Sequence, residues 1–371
     1  VYGTIHEALQ TIEDIKIYDR QGVFQKRLAR EAAELEEVSV ELAKQQNRLF
    51  PSMNVGISLF MIGILVAGGY MVAAGTVTVG TLVAYYYYVS RAFGPLRSAS
   101  SLVLGYYNAR AAIDRIEAVL EAERAVRAPD KPKTLEAGGA TFSLDNVSFA
   151  YGQGEDTTQA LRDLELELPS GRRVALLGPS GSGKSTTGKL IPRLFDPQEG
   201  QILRNGTDLR EFDIEQLRAT IGYVGQDVFL FDGSIRENIL FGGDEDTSEA
   251  QLQEAVRNAR VDEILERKHS DLDAPVGEGG GMLSGGQKKR VALARALVRN
   301  PSILVIDQLA ADLQEDLCRE IFESIRRHYD VSILYLGHRV PAGFGPDAVY
   351  WMEEGTIKRK MEPTEYAHGA A

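Results

Sequence analysis

Nine residues, Gly178 to Thr186 (GPSGSGKST), carry the groups needed to hold a triphosphate. Gly178, Gly181 and Gly183 let successive backbone N–H groups turn inward with no Cβ in the way. Pro179, Ser180 and Ser182 lie between them, and Thr186 closes the stretch. Lys184 supplies a point charge for the β and γ phosphates, and Ser185 a hydroxyl for Mg²⁺. An apolar run, Val174 to Leu177, precedes the loop, and a helix is expected over Ser185 to Leu194. Strand, glycine loop and helix in that order put the positive end of a helix against the phosphates. The expectation is a nucleotide such as ATP, bound with Mg²⁺.

Two groups further along extend this chemistry. Ile303 to Ile306 (ILVI) reads as a short buried strand ending in Asp307. A carboxylate at the end of a strand beside a phosphate loop is a second Mg²⁺ anchor, direct or through water. Leu283 to Gln287 (LSGGQ) precedes a helix expected over Lys288 to Arg299. Ser284 with the N–H groups of Gly285 and Gly286 makes a second anion site at a helix start. One domain does not need two such sites for one nucleotide, so the second serves a nucleotide held by another copy or a partner. Taken alone, LSGGQ is also a plain capped helix start. His338 follows another apolar strand, Val331 to Leu336.

The elements that must position these groups fall into two regions within 371 residues. From Thr141 onward, short strands alternate with helices, which predicts an α/β domain over 141–371 with a mostly parallel sheet. Ahead of it, Leu49 to Ser90 contains no charged residue. A span over about 54–74 is long enough to cross a bilayer. Gly75 to Gly80 reads as a tight turn, and a second span over about 80–104 follows, kinked at Pro95 and interrupted by Arg91 and Arg97. Lys26, Arg27, Arg30, Lys44 and Arg48 precede the hairpin, and Arg91, Arg97, Arg110 and Arg115 follow it. The turn is uncharged, so the basic ends belong in the cytoplasm. A buried soluble hairpin is the alternative. Tyr85 to Tyr88 suit a membrane interface. Phe24 to Arg48 reads as a long charged helix entering the first span, Asn108 to Arg124 as the exit helix, 127–140 as a linker and Glu365 to Ala371 as a frayed tail. The chain opens at Val1 inside a helical pattern, as a fragment lacking earlier spans would.

Composition narrows the partners. Forty-one Lys and Arg against 53 Asp and Glu leave a net charge of −12. Such a chain lacks the basic surface that binds nucleic acid. The single cysteine, Cys318, excludes an internal disulfide and fits a reducing compartment.

Phosphate loop, LSGGQ, strand plus Asp and late histidine together resemble the nucleotide-binding domain of ABC transporters, over Thr141 to Met361. Residues 1–126 resemble the C-terminal part of an exporter-type transmembrane domain, with a coupling region at about 17–27. The resemblance implies an inner-membrane, multi-pass half-transporter that couples ATP binding and hydrolysis at a two-chain interface to transport. Tyr151 matches the aromatic that stacks on adenine. Gln226 matches the glutamine that meets Mg²⁺ and the attacking water, and His338 the histidine that touches the γ-phosphate. Ser185, Gln226 and Asp307 are the implied metal ligands. Leu283, Ser284, Gly285, Gly286 and Gln287 are implied to serve the partner's nucleotide. Val228 to Gly242 matches part of the groove that receives a coupling helix.

Two positions depart from the family pattern. Gln308 stands where the general-base glutamate is expected, and a carboxamide cannot take a proton from water at neutral pH. In the loop usually reading SALD, Ala311 to Gln314 read ADLQ. A laboratory substitution would alter one position, whereas two departures fit a naturally weak site in an asymmetric heterodimer, with a homodimer still open. The rival readings are an ATP-binding regulatory subunit without hydrolysis, and a soluble ABC-type ATPase.

Overall fold

The computed structural model describes residues 2–121, 126–135, 138–152 and 157–362, without the side chains of 42, 45–53, 94–104, 108 and 268. It divides into two compact units, Val1–Ala122 and Glu123–Ala371.

The first unit is entirely helical. Helices α1 (Tyr2–Gln10) and α2 (Ile12–Ile17) lead through a turn, with Asp19 at φ 50°, into α3 (Gln21–Ala73). The coupling region expected at 17–27 is therefore the end of one helix, a turn and the start of the next. The expected charged helix and first span form one continuous helix of 53 residues. At about 1.5 Å per residue it is roughly 80 Å long, well over twice a bilayer core. The chain reverses at Ala74 to Val77, and the Thr78 hydroxyl, accepting from the Thr81 N–H, caps α4 (Val79–Leu120). Helix α4 is continuous through Pro95, and the expected exit helix is its last part.

Within this hairpin Leu82 packs onto Gly68, where a Cβ would collide with it, and Phe60 meets Phe93 edge-on at 5.9 Å. Asn54–Ala73 is long and apolar enough to cross a membrane, and only 6% of its most apolar window is buried. Leu59, Phe60, Leu65 and Val66 on it are exposed. It is the one such segment among the described residues. Much of the second expected span, with Arg97, lies where side chains are not described, and the tail 365–371 lies outside the described residues.

The second unit holds two sheets. Strands β1 (Phe142–Tyr151), β2 (Thr158–Leu168), β4 (Glu199–Arg204) and β5 (Thr207–Asp208) form an antiparallel sheet in the order β2-β1-β4-β5. The sequence reading did not anticipate this separate sheet. It joins two hairpins, β1–β2 and β4–β5, through the long-range pairing of β1 with β4, and β2 alternates in burial along its Leu161, Leu164, Leu166, Leu168 face.

The larger sheet contains β3 (Arg173–Leu177), β6 (Ile221–Val224), β7 (Ile303–Asp307), β8 (Ser332–Gly337), β9 (Ala348–Glu353) and β10 (Thr356–Met361). Its order is β10-β9-β3-β8-β7-β6, parallel except for the edge strand β10. Strands β7 and β8 are buried throughout, as continuous apolar runs covered on both faces must be. The connecting helices are α5 (Lys184–Leu190), α6 (Ile214–Ala219), α7 (Ile235–Leu240), α8 (Glu249–Asn258), α9 (Asp262–Lys268), α10 (Gly285–Leu297) and α11 (Glu315–His328). Helix α5 stops at Leu190, four residues short of the expected end. Pro192 has no N–H to continue it, and Arg193 turns to φ 51°, held by Asp196 at 2.7 and 3.0 Å. Helix α10 starts three residues earlier than expected, so Gly285 and Gly286 form its first turn.

Candidate nucleotide site

Four neighbouring parallel strands deliver the chemistry at their carboxyl ends. In register, Leu177 of β3 lies beside Gly337 of β8, Leu336 beside Asp307 of β7, and Ile306 beside Val224 of β6. The phosphate loop leaves β3, His338 follows β8, Asp307 ends β7 with Gln308 directly after it, and Gln226 comes two residues after β6. The carboxyl edge of an open parallel sheet is where such folds bind ligands.

The loop is tied to its neighbour by the Gly178 N–H donating to the Gly337 carbonyl at 3.3 Å. Gly183 sits at φ 105°, and a Cβ there would lie 2.6 Å from the Ala160 carbonyl oxygen, so only glycine fits. Pro179, Ser180 and Gly181 are exposed, while Ser182 and Thr186 are buried. Lys184 is buried, and its Nζ donates to the carbonyls of Gly178 (2.9 Å) and Pro179 (2.6 Å) and to Ser182 Oγ (3.1 Å). These bonds use all three ammonium hydrogens. A phosphate oxygen is reached by exchanging one of them. Desolvation lowers the Lys184 pKa, and the nearby Asp307 opposes that shift.

Asp307 is almost fully buried. Burial raises its pKa, while a hydrogen bond from Ser185 and the charge of Lys184 pull it down. Its Oδ1 has no hydrogen-bond partner among the described residues. A buried carboxylate oxygen left without a donor, beside a serine hydroxyl, is the hard oxygen set that Mg²⁺ or its water takes up. Gln308 follows in the left-handed region (φ 54°, ψ 39°), and its Nε2 donates to Gln226 Oε1 at 3.4 Å. His338 is exposed, with Nδ1 2.9 Å from the Gly178 carbonyl. A carbonyl only accepts, so Nδ1 carries a hydrogen, and Nε2 can bond a phosphate oxygen only when it carries one as well. Tyr151 ends β1 and donates its hydroxyl to Thr186 Oγ1 at 3.3 Å, which sets the ring beside the first turn of α5. Phe149 and Phe195 pack edge-on against it at 4.9 and 5.6 Å.

Ser284 to Gln287 stand apart from this cluster, with no hydrogen bond to the phosphate loop among the described residues. Ser284 caps α10 in a reciprocal box: its Oγ accepts from the Gln287 N–H at 3.4 Å, and Gln287 Oε1 accepts from the Ser284 N–H at 3.0 Å. So the plain reading of a capped helix start is correct. Ser284 and Gly285 are also exposed, and Ser284 and Gly286 line a cleft of 390 Å³ with Arg267, Gln287 and Gln314. Leu283 is buried beneath.

The family model described as the ABC transporter transmembrane region matches residues 1–96, and the one described as ABC transporter matches residues 161–311. The chain belongs to the ABC transporters. It is 32% identical over 364 residues to the putative multidrug export ATP-binding/permease protein YgaD of Bacillus subtilis, covering 96% of this chain and 61% of that protein. It is 30% identical over 358 residues to the ATP-dependent lipid A-core flippase of Escherichia coli K12, again with 96% and 61% covered. The solved structure of a bacterial Atm1-family ABC exporter with ATP bound superposes with a TM-score of 0.89 at 28% identity, covering 99% of this chain and 64% of that one. The chain thus spans about three fifths of the length of the curated relatives it matches.

Two residues at this site went unread in the sequence. Tyr223 in β6 has its hydroxyl pKa pushed up to about 12 by burial and by the charge of Asp307. Lys289, inside a basic run that reads as solvated, is buried with its Nζ 2.6 Å from the Gln308 carbonyl oxygen. The only signal for it was helical spacing, which places it one turn after Gly285.

Proposed function

We propose that this chain is one half of a membrane exporter, working as a pair that clamps two Mg·ATP between one chain's phosphate loop and the other's Ser284–Gln287 face. Convergence of the phosphate loop, Asp307, Gln226 and His338 on one sheet edge, with Ser284 and Gly285 exposed away from it, is the observation that carries this reading. Lys184 and the loop N–H groups hold the β and γ phosphates, and Tyr151 offers its ring to the adenine. Ser185, Asp307 and Gln226 are the residues that would hold magnesium, which would supply positive charge to offset the charge developing on the phosphates. His338 donates to the γ-phosphate from Nε2 when both ring nitrogens carry hydrogens. Closing on ATP and reopening after hydrolysis move the coupling region at 17–27 and, through α3, the membrane spans.

Hydrolysis at this chain's own site is slow in this reading. Position 308, at the end of β7 where the attacking water is expected, is a carboxamide that already donates to a second carboxamide, Gln226. Neither group takes a proton from water. The favoured assembly is therefore a heterodimer whose partner supplies a glutamate opposite this chain's Ser284–Gln287. A regulatory subunit without turnover is the second reading, favoured by the same Gln308. ATPase activity with and without the co-expressed partner separates the two. Relatives named for multidrug export and lipid A-core flipping make amphipathic molecules the first cargo to test.

Membrane fractionation followed by sizing in detergent tests the assignment. The chain should sediment with membranes and form pairs when Mg·ATP is added. Recovery in the soluble fraction, or a monomer at saturating Mg·ATP, contradicts it.

A further inference from the structure

One buried ammonium joins the loop after Asp307 to the helix after Ser284. Lys289 lies four residues after Gly285 in α10, on the same face, and its side chain is 7% exposed. Its Nζ donates to the Gln308 carbonyl at 2.6 Å and pairs with Asp312 Oδ2 at 2.7 Å. The two segments are in close contact there. A Cβ on Gly286 would lie 2.6 Å from the Asp312 carbonyl oxygen, and one on Gly285 would lie 3.8 Å from Asp312 Cγ. Gln308 holds a left-handed backbone conformation, which a residue with a Cβ keeps only where surrounding contacts fix it. A lysine suits the position because one compact group with three donors satisfies a carbonyl and a carboxylate together.

We propose that Lys289 is a positioning residue that ties Gln308 and Asp312 to the first turn of α10. The residue facing this chain's own nucleotide and the Ser284–Gly286 face offered to the partner's nucleotide then move as one body. This rests on the two-chain reading above. Removing either end of the tie leaves the phosphate loop intact and lets the Ser284 face shift independently of position 308.

The native assembly, purified from membranes through a tag on this chain, provides the test. Two quantities are read: affinity for a fluorescent ATP analogue, and the Mg·ATP concentration at which the two nucleotide-binding domains close, followed by energy transfer between surface labels. Lys289→Met and Asp312→Asn should each leave nucleotide affinity within about twofold and raise the closing concentration roughly tenfold. The double variant should lose no more than either single one, since both remove the same tie. Asp312→Glu keeps the carboxylate and should close like the wild type. Unchanged closure in Asp312→Asn, or additive losses in the double variant, overturns the proposal. If Lys289→Met does not fold, half-exposed Asp312 still decides through its Asn and Glu variants. A wild-type assembly that binds no ATP or never closes would instead defeat the two-chain reading itself.

Discussion

At Lys184 the ammonium is folded back onto the carbonyls of its own loop and braces it. Charge-assisted hydrogen bonds of this kind contribute about 1.5–3 kcal/mol each. Lys184→Ala should therefore weaken ATP binding by roughly 10- to 150-fold, measured by titration calorimetry. Asp307 behaves differently. Burial holds its pKa above the ordinary 3.8, so folding favours the protonated acid. Ionised Asp307 lowers stability above its raised folded value, and that penalty fades as pH falls through that value towards 3.8. Without magnesium, Asp307→Asn should hold or raise the melting temperature near neutral pH. With Mg·ATP, the same variant should lose the stabilisation that the wild type gains. For the wild type, that gain should fall on acidification with a midpoint above 3.8. A gain retained by Asp307→Asn would remove this carboxylate from the metal site.

Among the elements, α10 depends on both of its ends. Ser284→Ala removes the cap and should cost about 1 kcal/mol of stability by denaturant melts, while also weakening ATP-driven pairing. Further along, Arg295 donates to Asn238 O and Oδ1, both at 2.8 Å, and to Phe229 O at 3.1 Å, and stacks over Phe231 and Phe241. Arg295→Met should free the 228–242 segment, seen as faster amide exchange there, at a cost of about 2–3 kcal/mol. Unchanged exchange would mean that the aromatic packing alone holds the segment. The capped start of α10 was legible because S-x-x-Q is a local signal. The antiparallel sheet was not, because its partners lie far apart in sequence and short alternating runs do not say which strand they join. The early end of α5 depends on Pro192, which was visible, and on Arg193 turning to meet Asp196, which was not.

On the scale of the whole molecule, the two-region plan was readable from the uncharged stretch and the glycine loop alone, since both signals are local and chemically constrained. The membrane reading of the hairpin is supported by the match of residues 1–96 to the ABC transporter transmembrane region. Lys289 escaped notice because a lysine in a basic run gives no hint of burial until the loop after Asp307 is folded against it. The convergence of groups from four strands also had to await the sheet order, which no motif states.

The central claim is that this chain's own site holds Mg·ATP and turns it over slowly because position 308 is a carboxamide. Single-turnover release of phosphate from radiolabelled Mg·ATP preloaded on the native assembly tests it most directly, comparing wild type with Gln308→Glu. The expected result is retained nucleotide in both and release faster by about 10²–10⁴ in Gln308→Glu. Failure to retain nucleotide, or equally fast release from both proteins, would contradict the account.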